Sequence, residues 1–546
     1  MVRFSVLFAA LATLASRVVV ATPIAERQTG CTLTWNGSTI TGYADGSEGV
    51  CRYTVRYGTA NRWTDSVATT SLGTTNALPP SCPQISASAG NPLSAATQSE
   101  DCLYITLYVP ADATATSHQP VLAWLHGGAY TFGSDSAAGF DGAGLAANGG
   151  IIVAAIQYRL GVLGNIPPTV APSGTDPNFA LRDVLLAINT LRARHNDFYG
   201  DNSLITLGGQ DSGASIIRAL WGVSGAVGKF SSMILQSDPL SYGFASTATT
   251  NSLATLLASQ PALSGSTLTT FANWQALPVS TLIAAQNTLV NTASATIAGL
   301  PITGAIRPTW GGTTLPQDPT RLLISNPSSL AISPASVPLL ITNTKNEAGS
   351  AIQYLWSTPI TLNATRYSNV LGALLGSTRA TTLLASGSPY ALPTTDSTGD
   401  IMRQTLERTI ADGAWRCPAR TLANAYAAAG GTVYVGEWTK GVTYPTNAVG
   451  SGAYCTGGAV CHSDDIYPLF QSAPSPSGTT LLLEEEVSNV WTNFVNVLPV
   501  GSWSTFTGTT GVTGTNVHAI GNGTIGACPS SYWGSTVQWD WQIYTS

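Results

Sequence analysis

Short runs of β-branched and aliphatic residues recur at 103–109, 121–125, 151–158, 204–207, 233–235, 338–341 and 432–435, each closing in polar or glycine-rich residues. Runs of this kind read as strands, and their alternation with helical spacings predicts a mainly parallel central sheet flanked by helices on both faces. Between them Leu181, Val184, Leu185, Ile188 and Leu191 fall at three- and four-residue intervals, so 181–194 predicts a helix with one apolar face. Residues 247–298, rich in Ala, Leu, Ser and Thr, predict a helical insertion. No repeat or linker divides the chain, so 30–546 reads as one domain.

The first residues change the picture of where the chain works. Met1-Val2-Arg3 and an apolar run from Phe4 to Ala15, too short to span a bilayer, read as a signal peptide over 1–21, with small residues Val19 and Ala21 before the cut. Glu26-Arg27-Gln28 marks a second processing point, which makes 22–29 a propeptide. The eight cysteines, an even number, fit disulfides in an extracellular protein. None forms a C-x-x-C pair and no H-E-x-x-H occurs, so neither metal nor cofactor is expected. Charged residues are 9% of the chain, net charge is −6 and no basic stripe exists, which argues against a nucleic-acid partner. No later run is long and apolar enough to predict a membrane span. Asn36, Asn363 and Asn522 head glycosylation sequons. Nothing here bears on oligomeric state.

The chemistry is concentrated where the run at 204–207 enters Gly208-Gly209-Gln210-Asp211-Ser212-Gly213 and then a small-residue helix. Glycines two before and two after Asp211 mark a nucleophile elbow, a strand-to-helix turn too tight for larger side chains, with Asp211 at the exposed apex. Upstream, Leu125-His126-Gly127-Gly128-Ala129-Tyr130 ends a strand in a glycine-rich loop of the sort that supplies oxyanion-hole amides. Ser212 is a poor substitute nucleophile, because a helix turns successive side chains by about 100° and aims it away from the apex.

These segments, with Glu100-Asp101-Cys102-Leu103-Tyr104, Gln157-Tyr158-Arg159-Leu160-Gly161, residues 178–183 and the late Val490-Trp491, closely resemble the type-B carboxylesterase/cholinesterase family of α/β-hydrolases over most of the chain. The resemblance implies an α/β-hydrolase fold and a small-molecule ester substrate. It implies Glu347, just past the strand at 338–341, as the acid of a triad, although the family's following glycine is Ala348 here. It implies His462 in Val460-Cys461-His462 as the base, and the amides of Gly128, Ala129 and Ser212 as the oxyanion hole. It also implies a disulfide between Cys82 and Cys102, stabilising by roughly 3 kcal/mol. Aromatics such as Trp63, Tyr130, Phe132, Trp310, Tyr354 and Trp356 are equally consistent with a gorge or a core, and none is assigned to the site.

Asp211 stands where the family has serine. A carboxylate attacking an ester carbonyl would form a mixed anhydride, and the adduct would rather expel the carboxylate, pKa near ~4, than an alkoxide near ~16. Fully expressed, that gap is worth up to ~16 kcal/mol. Attack on a saturated carbon yields an ordinary alkyl ester that histidine-activated water can cleave, as in α/β-hydrolases resembling epoxide hydrolases and dehalogenases. The readings are therefore a family hydrolase with altered nucleophile Asp211, a non-hydrolytic acid/base catalyst (lyase, isomerase or cyclase), or a catalytically silent binding protein. An ion pair between Asp211 and His462 is expected in each.

Overall fold

The computed structural model describes residues 30–45, 49–85, 97–240, 243–297, 304–448, 454–508 and 514–533. The segments expected to be processed, 1–21 and 22–29, lie outside the described residues.

The framework is one ten-stranded sheet. In chain order its strands are β1 (Tyr43–Asp45), β2 (Val50–Arg56), β3 (Tyr104–Pro110), β4 (Gln119–Leu125), β5 (Ile152–Ile156), β6 (Gly200–Gln210), β7 (Ser232–Gln236), β8 (Leu339–Thr344), β9 (Val433–Trp438) and β10 (Val517–Ile520). Their spatial order is β10-β9-β8-β7-β6-β4-β5-β3-β2-β1. Pairings from β5 through β4 and β6 to β10 are parallel, while β1, β2 and β3 add an antiparallel edge. The seven expected strands are all present. The antiparallel start and the last strand were not expected: Tyr43–Asp45 and Val517–Ile520 are short and only partly buried, and Val50–Arg56, though seven residues long and mostly buried, is interrupted by Arg52, Thr54 and Arg56.

Side chains alternate across the sheet. Val121, Ala123 and Leu125 of β4, with Leu207, Met233, Leu235, Leu339 and Ile341, pack under α1 (Phe179–Arg194) and α6 (Cys417–Ala428). Leu122 and Trp124, with Ile234, Leu340 and Trp438, pack against α7 (Gly478–Val495) through Val487 and Trp491. Both faces are thus covered, as the unbroken apolar runs require. Helix α1 buries Leu181, Val184, Ile188 and Leu191, and only Leu185 of the predicted stripe remains partly exposed. The insertion is helical, as α3 (Thr247–Ala258) and α4 (Val279–Thr296), and encloses its own small core with Trp63 and Trp274.

Four disulfides join Cys31 to Cys51, Cys82 to Cys102, Cys417 to Cys528 and Cys455 to Cys461. The expected Cys82–Cys102 bond is among them. No helix among the described residues is long and apolar enough to cross a membrane.

Candidate active site

β6 ends at Gln210, and α2 (Ser212–Ala219) starts one residue after Asp211. Asp211 alone makes the turn, at φ 53° and ψ −120°, left-handed backbone that side chains avoid. The flanking glycines have the cause inferred from sequence. A Cβ on Gly213 would lie 2.1 Å from the Leu125 carbonyl oxygen, and one on Gly209 would lie 2.7 Å from the Gly213 backbone. Ala129, Tyr130, Ser237 and Ser463, in the neighbouring loops, share the left-handed conformation. Strain of this sort persists where surrounding packing dictates it and gathers at functional sites.

Three strand ends deliver the chemistry. Glu347 follows β8, and its fully buried side chain accepts from the Thr344 amide at 2.7 Å through Oε1 and contacts Nδ1 of His462 at 2.7 Å through Oε2. His462 follows the disulfide loop closed by Cys455 and Cys461. That loop is tied to the Glu347 loop by reciprocal bonds, Asn346 N to Val460 O at 2.9 Å and Val460 N to the Asn346 side-chain oxygen at 3.1 Å. Asp464 shapes the turn by accepting from the Cys461 and Tyr444 amides at 2.7 Å each and from Asn447 at 2.8 Å.

The carboxylate of Asp211 divides its two oxygens. Oδ2 accepts from the amides of Gly128 at 3.0 Å and Ala129 at 2.8 Å, the two oxyanion donors expected in the glycine-rich loop. The third expected donor, the Ser212 amide, is not among the partners of this oxygen. Oδ1 faces Nε2 of His462 at 3.9 Å, so the expected ion pair forms as a loose contact and not as a hydrogen bond. The nearer partner of Nε2 is the side-chain amide of Gln210, at 2.8 Å. The hydroxyl of Ser212 is buried and makes no hydrogen bond to His462.

Burial alone would lower the proton affinity of His462. The hydrogen bond and charge of Glu347, with the charges of Asp211 and Asp465, overcome it and push the imidazole up to about 9. Asp465, buried and bonded to Gln236 at 2.7 Å, is pushed up to about 6 by desolvation and by Glu347. His126 is different: wholly buried and stacked on Tyr158 at 4.6 Å, it is lowered to about 4 by desolvation, which suits a structural role.

Two site residues escaped the sequence reading. Gln210 was visible beside the apex, but nothing in the pattern gave it a partner. Trp415 stands on a π-helical turn, Asp412–Arg416, between α5 (Ile401–Ala411) and α6; its ring lies 6.0 Å from that of His462 and its indole N–H donates to the Ser237 carbonyl at 3.0 Å. A single π-turn inside a helix leaves no hydrophobic signature. Of the aromatics held open above, Trp63 is core and Tyr354 is 91% exposed. Asn36 sits in a β-turn, Asn522 is exposed, and exposed Asn363 caps the helix Ala364–Leu375 through its side-chain oxygen.

The mostly parallel sheet flanked by helices is that of an α/β-hydrolase, and its loops bring the apex turn, the amide pair and the Glu347–His462 pair together. Residues 53–500 match the carboxylesterase family, and the chain belongs to that family. It is 42% identical over 147 residues to a probable N-octanoylanthranilate hydrolase, AqdA2, of Rhodococcus erythropolis, covering 27% of this chain and 32% of that protein. It is 36% identical over 140 residues to para-nitrobenzyl esterase of Bacillus subtilis (strain 168), covering 26% and 28%. Carboxylesterase 3 of Pongo abelii is 39% identical over 139 residues, covering 26% and 24%. The matched stretch thus spans a quarter to a third of these relatives. Among solved structures, a thermophilic PNB esterase superposes with TM-score 0.70 at 21% identity, covering 88% of this chain and 94% of that one, a likeness of fold.

Proposed function

We propose that this chain is an extracellular hydrolase of ester-type or related small molecules in which the carboxylate of Asp211 is the nucleophile and attacks a saturated carbon. The observation that carries the reading is the division of labour in that carboxylate. Gly128 and Ala129 already hold Oδ2, so the acyl centre they serve is Cγ of Asp211 itself, while Oδ1 is free to attack.

The steps balance. Oδ1 displaces the leaving group from a carbon of the substrate, and the bond electrons depart with that group, leaving an alkyl ester on Asp211. Esterification removes one of the negative charges facing His462, so the imidazolium gives its proton to the departing group, which leaves as its conjugate acid, and the neutral ring acts as base. It takes a proton from water, whose oxygen adds to Cγ. The charge then gathers on Oδ2, between the two amides, where each donor stabilises by about 3 to 4 kcal/mol. Collapse expels the product oxygen, protonated by Nε2, and the carboxylic acid left on Asp211 gives its proton to the now neutral imidazole, which restores the carboxylate and the ion pair. Glu347 holds the ring by Nδ1 throughout.

An ester of an activated benzylic alcohol offers both an acyl carbon and a saturated carbon, so 4-nitrobenzyl acetate in ¹⁸O-water is the test. Through Asp211, single turnover places ¹⁸O in the Asp211 peptide and leaves acetate unlabelled. Label in the acetate, with none in Asp211, means acyl cleavage and sinks the proposal. A second reading, acid/base catalysis without water, has one observation in its favour: His462, whose proton affinity the surrounding carboxylates raise, lies 3.9 Å from Oδ1, which puts two proton-transfer groups on the same side of a substrate. It predicts solvent deuterium in product and no ¹⁸O on Asp211. A binding protein gives neither label.

A further inference from the structure

The atoms around Nε2 of His462 carry a second message. Its other ring nitrogen, Nδ1, contacts the Glu347 carboxylate, which only accepts, so Nδ1 keeps its hydrogen and Nε2 is where the ring gains or loses a proton. The group closest to Nε2 is not a charge. It is the neutral amide of Gln210, at 2.8 Å, with Asp211 Oδ1 farther away at 3.9 Å.

We infer that Gln210 is a positioning residue that governs the proton on Nε2 of His462. An amide offers a donor to the neutral ring and, after a half-turn, an acceptor to the protonated one, without adding a charge to either. Here the nitrogen end faces the ring, with a further contact to Ser463 Oγ at 3.3 Å, which is the arrangement that supports the neutral ring. The site is built to hold that side chain. Gln210 is only 3% exposed, and a Cβ on Gly127 would lie 2.3 Å from its side-chain oxygen, so the glycine-rich loop leaves room for this amide as well as for the apex.

Among the described residues, the charges that act on the ring are negative: Glu347 from the loop after β8, Asp211 from the apex, and Asp465 from the turn that follows. The uncharged Trp415 ring lies beside the imidazole, tilted, at 6.0 Å. In that surround a neutral partner at Nε2 restrains proton uptake, whereas a carboxylate there would fix the imidazolium. Gln210 therefore keeps His462 able to serve as a base, a role that holds whatever bond the enzyme breaks.

The test is a ¹⁵N-histidine NMR titration of the full processed chain, tractable because the sequence has five histidines, with His462→Asn assigning the signal. Gln210→Glu, which only accepts and adds a charge, should raise the midpoint of His462 by about one unit or more. Gln210→Met, which removes the donor, should raise it by about half a unit. A merely structural role would lower the unfolding temperature and leave the midpoint where it was. Wild-type titration in both variants overturns the inference. Should Gln210→Glu fail to fold, the Met variant decides alone.

Discussion

A serine at position 211 would carry its oxygen about where the Cγ of Asp211 now sits, and would leave the amides of Gly128 and Ala129 without the oxygen they hold. Asp211→Ser therefore both supplies an alkoxide-forming nucleophile and vacates the oxyanion hole. With each freed donor worth about 3 to 4 kcal/mol in a tetrahedral transition state, hydrolysis of 4-nitrophenyl acetate should rise by at least about 100-fold over wild type. The variant should also take a covalent label from a serine-directed phosphonate, which wild type should not. The turn tolerates the exchange, since serine is smaller than aspartate and the flanking glycines are untouched. A folded but inert and unlabelled Asp211→Ser protein would show that His462 or the amides no longer aim at the apex. Wild-type ester turnover that survived Asp211→Ala would instead move the nucleophile to Ser212.

Among elements, the loops carrying Glu347 and His462 act as a unit, joined through Asn346 and Val460 and closed by Cys455–Cys461. That disulfide spans a sequence separation of only 6, against 111 for Cys417–Cys528. By loop-closure entropy the short bridge stabilises by roughly 2 kcal/mol and the long one by roughly 5. Cys455→Ser with Cys461→Ser should then cost the fold less than Cys417→Ser with Cys528→Ser, yet lower kcat more, because it loosens the turn that presents His462. Comparing thermal midpoints with kcat for the two double variants checks this; equal losses of kcat would refute it. The elbow was legible in the sequence because sterics leave so few residue types at 209 and 213, and the seven strands because burial on both faces demands unbroken apolar runs. Of the candidate site, motif reached Asp211, Glu347, His462 and the amides of Gly128 and Ala129, which the structure brings together. Gln210 and Trp415 were not legible, because their roles depend on contacts 252 residues away for the first and on a single π-turn for the second. That Oδ2 would fill its own oxyanion hole was equally hidden, since it follows from side-chain length inside a cavity whose walls lie on two other loops.

Over the whole molecule, the buried titratable groups decide how stability responds to pH. Desolvation pushes Asp135, Glu407 and Asp464 up to about 7 and Asp465 up to about 6. A carboxyl whose folded value lies above its unfolded value contributes stability that is complete below about 4 and lost as pH rises through the folded value. His462, raised to about 9, adds stability complete below about 6.5 and lost as pH climbs through 9. His126, lowered to about 4, works the other way: its contribution is present above about 6.5 and fades as pH falls through 4. Asp176, whose burial is outweighed by the Thr314 and Asn178 amides and by Arg182, likewise favours the fold above the ordinary carboxylate range. These four carboxyls and His462 weaken the fold as pH rises, and because the carboxyl contributions are complete only below about 4, the balance places the most stable state nearer pH 4 than neutrality. The thermal midpoint at pH 8 should lie at least about 3 °C below that at pH 5. Glu407 isolates the cause, because it lies behind the Glu347 loop and, among the described residues, accepts from the Asn346 side-chain amide at 3.0 Å, an interaction that glutamine can keep through its oxygen. Glu407→Gln cannot ionise, so its midpoint relative to wild type should be higher at pH 8 than at pH 5. Parallel melting curves for the two proteins across that range would show that Glu407 does not titrate between them and would remove it from the account.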